Sequence, residues 1–389
     1  MSSIQKGLVL GALAVAGVAM MGSAQAVPSF ATKYEKGCSY CHNAWPQLNA
    51  KGRKFKEQGY RLKEDLKADV KTTPFYEAGN FPISGLVVAR PYDKKDSGER
   101  MVRAIHEVEL FIAGTMGKNV SIFTEIEGED ETGFAPEIGA TALSYRFSKE
   151  ATVQMTWGQA NWADGYGLLG DHFRLTRGHV GVLDTGYGGV DGKLRDARQN
   201  VAVTGRVADD KLFYNVGIGG IAKNVEGVSG DAVNVGAADD GTSLNARVAF
   251  DVKKNIMVGG YILNGDEGDL DYSRTAIDAQ ADLGDIRVQA AYVMASDDTL
   301  TGSDKNNAYS VQAYNTMKTK KGMPTWVQLV RLDSIEANDG ADEYKALTLN
   351  VTRYLSQNVK AYVEYYDLFD APTSAEEDSR VTLQFYVGL

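Results

Sequence analysis

From residue 80 onward the chain divides into sixteen segments of strand length, and several alternate apolar and polar residues with a period of two. Leu244, Ala246, Val248, Phe250 and Val252 alternate with Asn245, Arg247 and Asp251. Ile277, Ala279, Ala281 and Leu283 alternate with Asp278, Gln280 and Asp282, and Ile286, Val288, Ala290, Tyr292 and Met294 with Arg287 and Gln289. Such strands present one apolar and one polar face, as a lipid-embedded barrel with an aqueous interior requires. A soluble β-sandwich alternates too, with a bulkier apolar face. The links decide between the two. Short ones near 116–119, 148–150, 209–211, 253–255, 284–285, 319–322 and 356–358 alternate with long ones near 95–100, 128–137, 163–195, 223–241, 264–273, 296–305, 333–342 and 368–378. Short periplasmic turns and long external loops are the outer-membrane pattern, and an even strand count returns the chain to its starting side. Residues 381–389 alternate to the last position, which suits a closing strand. The expected fold is all-β: an antiparallel outer-membrane barrel of about sixteen strands over residues 76–389, with an aqueous lumen, lipid around it and both termini periplasmic.

The first 26 residues read as a secretory signal peptide. Lys6 precedes an uninterrupted run of apolar and small residues over 7–22, and Ala24-Gln25-Ala26 is an A-x-A cleavage site, so the mature chain is expected to begin at Val27. That run is shorter than the ~20 residues a spanning helix needs, which argues against a membrane anchor. The net charge of −10 argues against a nucleic-acid partner, because phosphate binding calls for a basic face.

Both cysteines of the chain fall in Cys38-Ser39-Tyr40-Cys41-His42. Cys-x-x-Cys-His is the attachment pattern of c-type haem: each thiol adds to one vinyl group, and the adjacent imidazole supplies the proximal iron ligand. A redox-active or surface Cys-x-x-Cys is the alternative; zinc lacks a second pair of ligands nearby. Pro46-Gln47-Leu48 can open a helix on which Leu48, Phe55 and Leu62, spaced by seven, line one face, with Gly52 permitting close approach. Lys51, Arg53, Lys54, Lys56, Arg61 and Lys63 are then expected on the solvated side. A haem unit over residues 27–75 is too short to bury much core alone. It is expected to enter or cap the lumen and borrow the barrel's walls.

The stretch 30–62, with the Cys38–His42 motif followed by Pro46, Asn49, Gly52, Phe55 and Gly59-Tyr60, resembles the fused monohaem cytochrome–porin family, the outer-membrane iron oxidases of iron-oxidising bacteria. The resemblance implies Cys38 and Cys41 as thioether attachments, His42 as proximal ligand, one covalently bound haem c, and electron flow from extracellular Fe(II) to a periplasmic c-type cytochrome. It leaves the sixth ligand open. The segment carries no Met or second His, so candidates lie elsewhere: His172 and His179 in the longest loop, His106, and Met101 near a strand end. His106 shares parity with Ala104, Val108 and Leu110 and is expected to face outward, with Arg103, Glu107 and Glu109 in the lumen. Acidic clusters recur in the long loops, among them Glu129, Asp130 and Glu131, then Asp266, Glu267, Asp269 and Asp271. Collectively they would attract cations such as ferrous iron, although no spacing singles out a metal site. Four readings compete: the inward electron conduit, the same conduit run outward, a diffusion porin with an ancillary haem, and a soluble periplasmic cytochrome, which the loop alternation and the final strand argue against.

Overall fold

The computed structural model describes residues 28–62, 65, 83–95, 98–163, 174–186, 193–220, 241–267, 270–299, 302–337, 339–371 and 379–389; the expected signal peptide, His172 and Lys63 lie outside them. The N-terminal part holds helix α1 (Pro28–Tyr34), a single 3-10 turn at Cys38–Tyr40, the short ribbon β1 (His42–Ala44) and β2 (Gln47–Leu48), and helix α2 (Ala50–Glu57). Asn49 caps α2, its side chain accepting from the Lys51 and Gly52 amides at 2.9 and 3.0 Å. The helix therefore starts four residues later than Pro46 suggested; Pro46 instead follows Trp45 through a cis peptide in the ribbon turn.

Sixteen strands follow: β3 (Ile83–Lys95), β4 (Arg100–Met116), β5 (Val120–Glu129), β6 (Glu137–Arg146), β7 (Thr152–Gly158), β8 (Arg198–Val207), β9 (Leu212–Gly219), β10 (Thr242–Lys253), β11 (Ile256–Glu267), β12 (Leu270–Leu283), β13 (Ile286–Thr299), β14 (Gly302–Lys318), β15 (Pro324–Ala337), β16 (Asp342–Tyr354), β17 (Val359–Asp370) and β18 (Ser379–Gly388). Each pairs antiparallel with its sequence neighbours, and β18 pairs with β3 to close the barrel, with Leu389 and Gly85 exchanging both backbone hydrogen bonds beyond it. No edge is left open. The alternation has the expected sense: Leu244, Val248 and Phe250 lie outside, while Asn245 and Arg247 are buried inside. Interior polar groups satisfy one another across strands, as in Arg247 with Asp278 and the Gln280–Gln289–Gln312 ladder.

All seven short turns fall where the sequence places them. The long links at 264–273, 296–305 and 333–342 differ. There the strands continue almost to the tip, β11 running to Glu267 and β12 resuming at Leu270. These arms are mostly polar on both sides and so carry little period-two signal, although Asp297, Asp333 and Ser334 are buried.

Candidate functional site: the plugged lumen

The N-terminal segment fills the short-turn end of the barrel and is tied to its wall all round. Lys33 donates to Thr115 of β4 at 2.7 Å, Arg61 to Ser121 of β5, Tyr354 of β16 to the Trp45 carbonyl at 2.7 Å, and Arg287 of β13 to the Leu48 carbonyl at 2.8 Å. Glu57 at the end of α2 makes a two-pronged ion pair with Arg206 of β8 at 2.5 and 3.0 Å. Arg206 also bonds Asp251, which holds Arg53 as well. Arg53 and Arg61, expected on a solvated face, are thus buried and point into the wall. Arg53 meets the Asp251 carboxylate, and Arg61 donates through Nη1 to the Gln58 and Gly59 carbonyls and the Ser121 hydroxyl.

Between plug and wall lies an apolar cavity of about 1260 Å³, its open mouth included. Cys38, Cys41 and His42 all line it, with Phe30, Leu48, Phe55, Tyr60 and Leu62 from the plug and Leu86, Phe111, Phe123 and Trp162 from the barrel side. Tyr60 stacks on Phe123 at 5.5 Å between ring centres, so the aromatic lining crosses from plug to wall. Of the three residues spaced by seven, only Phe55 lies on a helix, yet all three reach the cavity. At Gly52 a Cβ would overlap the Cys41 carbonyl oxygen, so α2 packs directly on the Cys-x-x-Cys backbone.

The donor set fits a c-type haem. Two thiols and an imidazole face one apolar slot, and the His42 ring is oriented from behind. Its Nδ1 lies 2.9 Å from the Pro46 carbonyl oxygen, which can only accept, so Nδ1 carries the proton and Nε2 the lone pair a metal needs. Burial, then the neighbouring Cys38 thiol, pushes the Cys41 thiol up to about 11, the reverse of the low value that activates a redox Cys-x-x-Cys.

Higher in the lumen, the loop between β7 and β8 folds inward. Its helix α3 (Gly181–Asp184) and flanking residues bond the opposite wall: Arg331 of β15 donates to the Thr176 hydroxyl and to the carbonyls of Gly178 and His179, while the amides of Gly178 and Gly181 donate to Glu364 and Asp333. Asp184 anchors the loop between Arg174 and Arg195. Burial alone would raise its carboxyl, but the two guanidinium groups hold it well below the ordinary range. His179 lies in this loop, its ring pushed below the usual imidazole range by burial.

Among the described candidates for a sixth ligand, neither Met101, His106 nor His179 lines the apolar cavity. His106 is buried in the wall and faces inward, not outward. The β3–β4 ladder shifts register between the Val88–Glu107 and Arg90–Arg103 pairs, putting two extra residues into β4. Within this bulge His106 turns inward beside Glu107, while Glu107 and Glu109 stay in the lumen and Val108 and Leu110 outside, as the sequence placed them. His106 therefore joins Glu107, Glu109, Glu127 and Glu129 in a second, polar chamber, which shares Trp45, Pro46 and Leu86 with the apolar cavity. Sequence reasoning missed this grouping; its one signal was the acidic pattern at alternate positions 125, 127 and 129 facing 107 and 109.

A profile of Gram-negative porins matches residues 97–370. The chain belongs to the Gram-negative porin family. The porin match begins after the plug, so Cys38–His42 and both plug helices lie outside it. Solved porins share the fold. An anion-selective porin from Comamonas acidovorans superposes with a TM-score of 0.58 at 14% identity, covering 79% of this chain and 98% of that one. A loop-deletion variant of OmpT, an outer-membrane protein of Vibrio cholerae, gives 0.55 at 12% over 79% and 98%. Salmonella typhi OmpF gives 0.54 at 12% over 79% and 97%. No curated protein matches the chain. Family and fold place this porin in the outer membrane.

Proposed function

We propose that this porin carries one covalent c-type haem on Cys38 and Cys41, with His42 as proximal ligand, and moves electrons from an extracellular donor, ferrous iron, to a periplasmic c-type cytochrome. The observation that carries the reading is the shared cavity: the only two thiols of the chain and His42 face an apolar slot whose far side is barrel wall. A c-type haem bound there would take up and release one electron at a time. The residues of the chain do the rest. Pro46 fixes the His42 ring, and Phe55, Tyr60, Phe123 and Trp162 exclude water, which favours a well-defined potential. The plug and inward loop fill much of the lumen, so the ferrous ion need not cross the membrane for its electron to do so.

A diffusion porin is the second reading, favoured by the family match itself. Two measurements on detergent-purified, oxidised protein separate them. Reduced c-type bands appearing rapidly on addition of ferrous iron at near-neutral pH support the conduit. Bands reduced by dithionite alone reassign the donor or the direction. No haem bands, with porin-scale conductance in planar bilayers, support diffusion and overturn the conduit.

A further inference from the structure

We propose that His106, Glu107 and Glu129, with Asp130 behind the imidazole, form a binding site for one divalent first-row metal cation on the wall of the polar chamber. Ligand atoms of the three residues lie within 4.8 Å of one another. Imidazole with carboxylates is a donor set suited to iron and manganese. The His106 Nδ1 lies 2.9 Å from Asp130 Oδ1 and 3.1 Å from an Arg103 nitrogen. Arg103 already engages both Asp130 and Glu131, so the imidazole proton goes to Asp130 and the lone pair to Nε2. A carboxylate behind a histidine is the usual outer support of a metal-binding ring.

The surroundings call for a cation independently of this geometry. Glu107 sits directly opposite Glu129 in the β4–β5 ladder, and Glu109 directly opposite Glu127; like charges in such positions repel. Glu109 lines the same chamber, is 3% exposed, and its Oε2 has no hydrogen-bond partner. Three of the nearby guanidinium groups are paired elsewhere, Arg174 and Arg195 with Asp184 and Arg177 with Asp93, which leaves Arg90, bonded through Nε to Gln384, to act on Glu107 and Glu129. Lys360 lies over the rings of Trp45 and Tyr386. A bound divalent ion would answer both rungs of carboxylates, in a chamber that shares Pro46, the residue holding the His42 ring, with the apolar cavity. The identification of that ion with the electron donor rests on the proposed function; the cation site does not.

The test is a titration of the folded protein with Mn(II), free aqua ion being read by electron paramagnetic resonance. One tight equivalent is expected. The double variant Glu107→Gln/Glu129→Gln, which keeps side-chain shape, should weaken it a hundredfold or more, and Asp130→Asn about tenfold. Heat-modifiable migration checks that each variant is folded. No tight equivalent in the parent protein, or the same affinity in the double variant, overturns the site and leaves protons holding the carboxylates. With Fe(II) as reductant, Mn(II) should slow haem reduction in the parent but not in the double variant; equal rates would overturn the donor role while the Mn(II) result stands. Absence of any reduction by Fe(II) would remove the electron-transfer reading, and the Mn(II) titration alone would still decide the site.

Discussion

At the scale of the residue, Gly52 is where the haem motif and the fold constrain each other. Gly52→Ala forces α2 away from the Cys41 carbonyl. Overpacking of this kind costs about 1–3 kcal/mol. Haem stain per unit of folded barrel is expected to fall several-fold, with the barrel still heat-modifiable; unchanged staining would show that the contact relaxes freely. The Cys38–His42 motif was legible because its chemistry needs neighbouring residues. His106 was not. Its direction depends on a bulge two residues long, and a single strand's alternation does not announce where its partner slips. Arg53 and Arg61 looked solvated for a related reason: their partners on the wall, Asp251 and Ser121, lie 60 or more positions away.

At the scale of the element, the inward loop and the lipid-facing strands make separate predictions. Asp184 is held well below the usual carboxylate range by Arg174 and Arg195 against the opposing effect of burial. A depressed folded-state value means its contribution is complete above the unfolded carboxyl value of about 3.9 and is lost as pH falls below that. The loop should therefore stay docked from pH 5 to 8 and loosen in acid. Asp184→Asn should bring that acid behaviour to neutral pH, read as raised single-channel conductance; equal conductance of both proteins at pH 7 would show that other bonds suffice. On the outer face, Ile277 lies mid-strand on β12 at 60% exposure. Ile277→Arg should destabilise the vesicle-inserted barrel by about 2–4 kcal/mol in urea titration, the range for a cation near the bilayer midplane. Strands such as β12 were readable because lipid and lumen sort their residues. The arms at 296–305 and 333–342 were not, because polar residues dominate both of their faces.

At the scale of the whole molecule, plug and barrel share one packed interface. Aromatic residues of both line the apolar cavity, and ion pairs such as Glu57–Arg206 cross between them. Deleting residues 28–62 should leave a closed barrel, since β3–β18 pair without them, but raise conductance from near zero toward that of an open porin. A deletion that fails to insert would show instead that the barrel needs its contents to fold. The two parts and their union were legible, because a unit too short to bury its own core has to borrow walls; the individual contacts between them were not, since alternation reports which medium a strand meets and says nothing of which residue stands inside.

The closing seam sets an order of manufacture. β3, the first strand after the plug, pairs with β18, the last, so the wall becomes continuous only when the end of the chain is in place. By then Cys38 and Cys41 face a slot bounded by protein. On the proposed function, a haem carried there would be fastened most readily while the chain is still open, so the enzyme joining it to the thiols would be expected to act before barrel assembly. A cell short of that enzyme would be expected to build barrels it cannot afterwards repair.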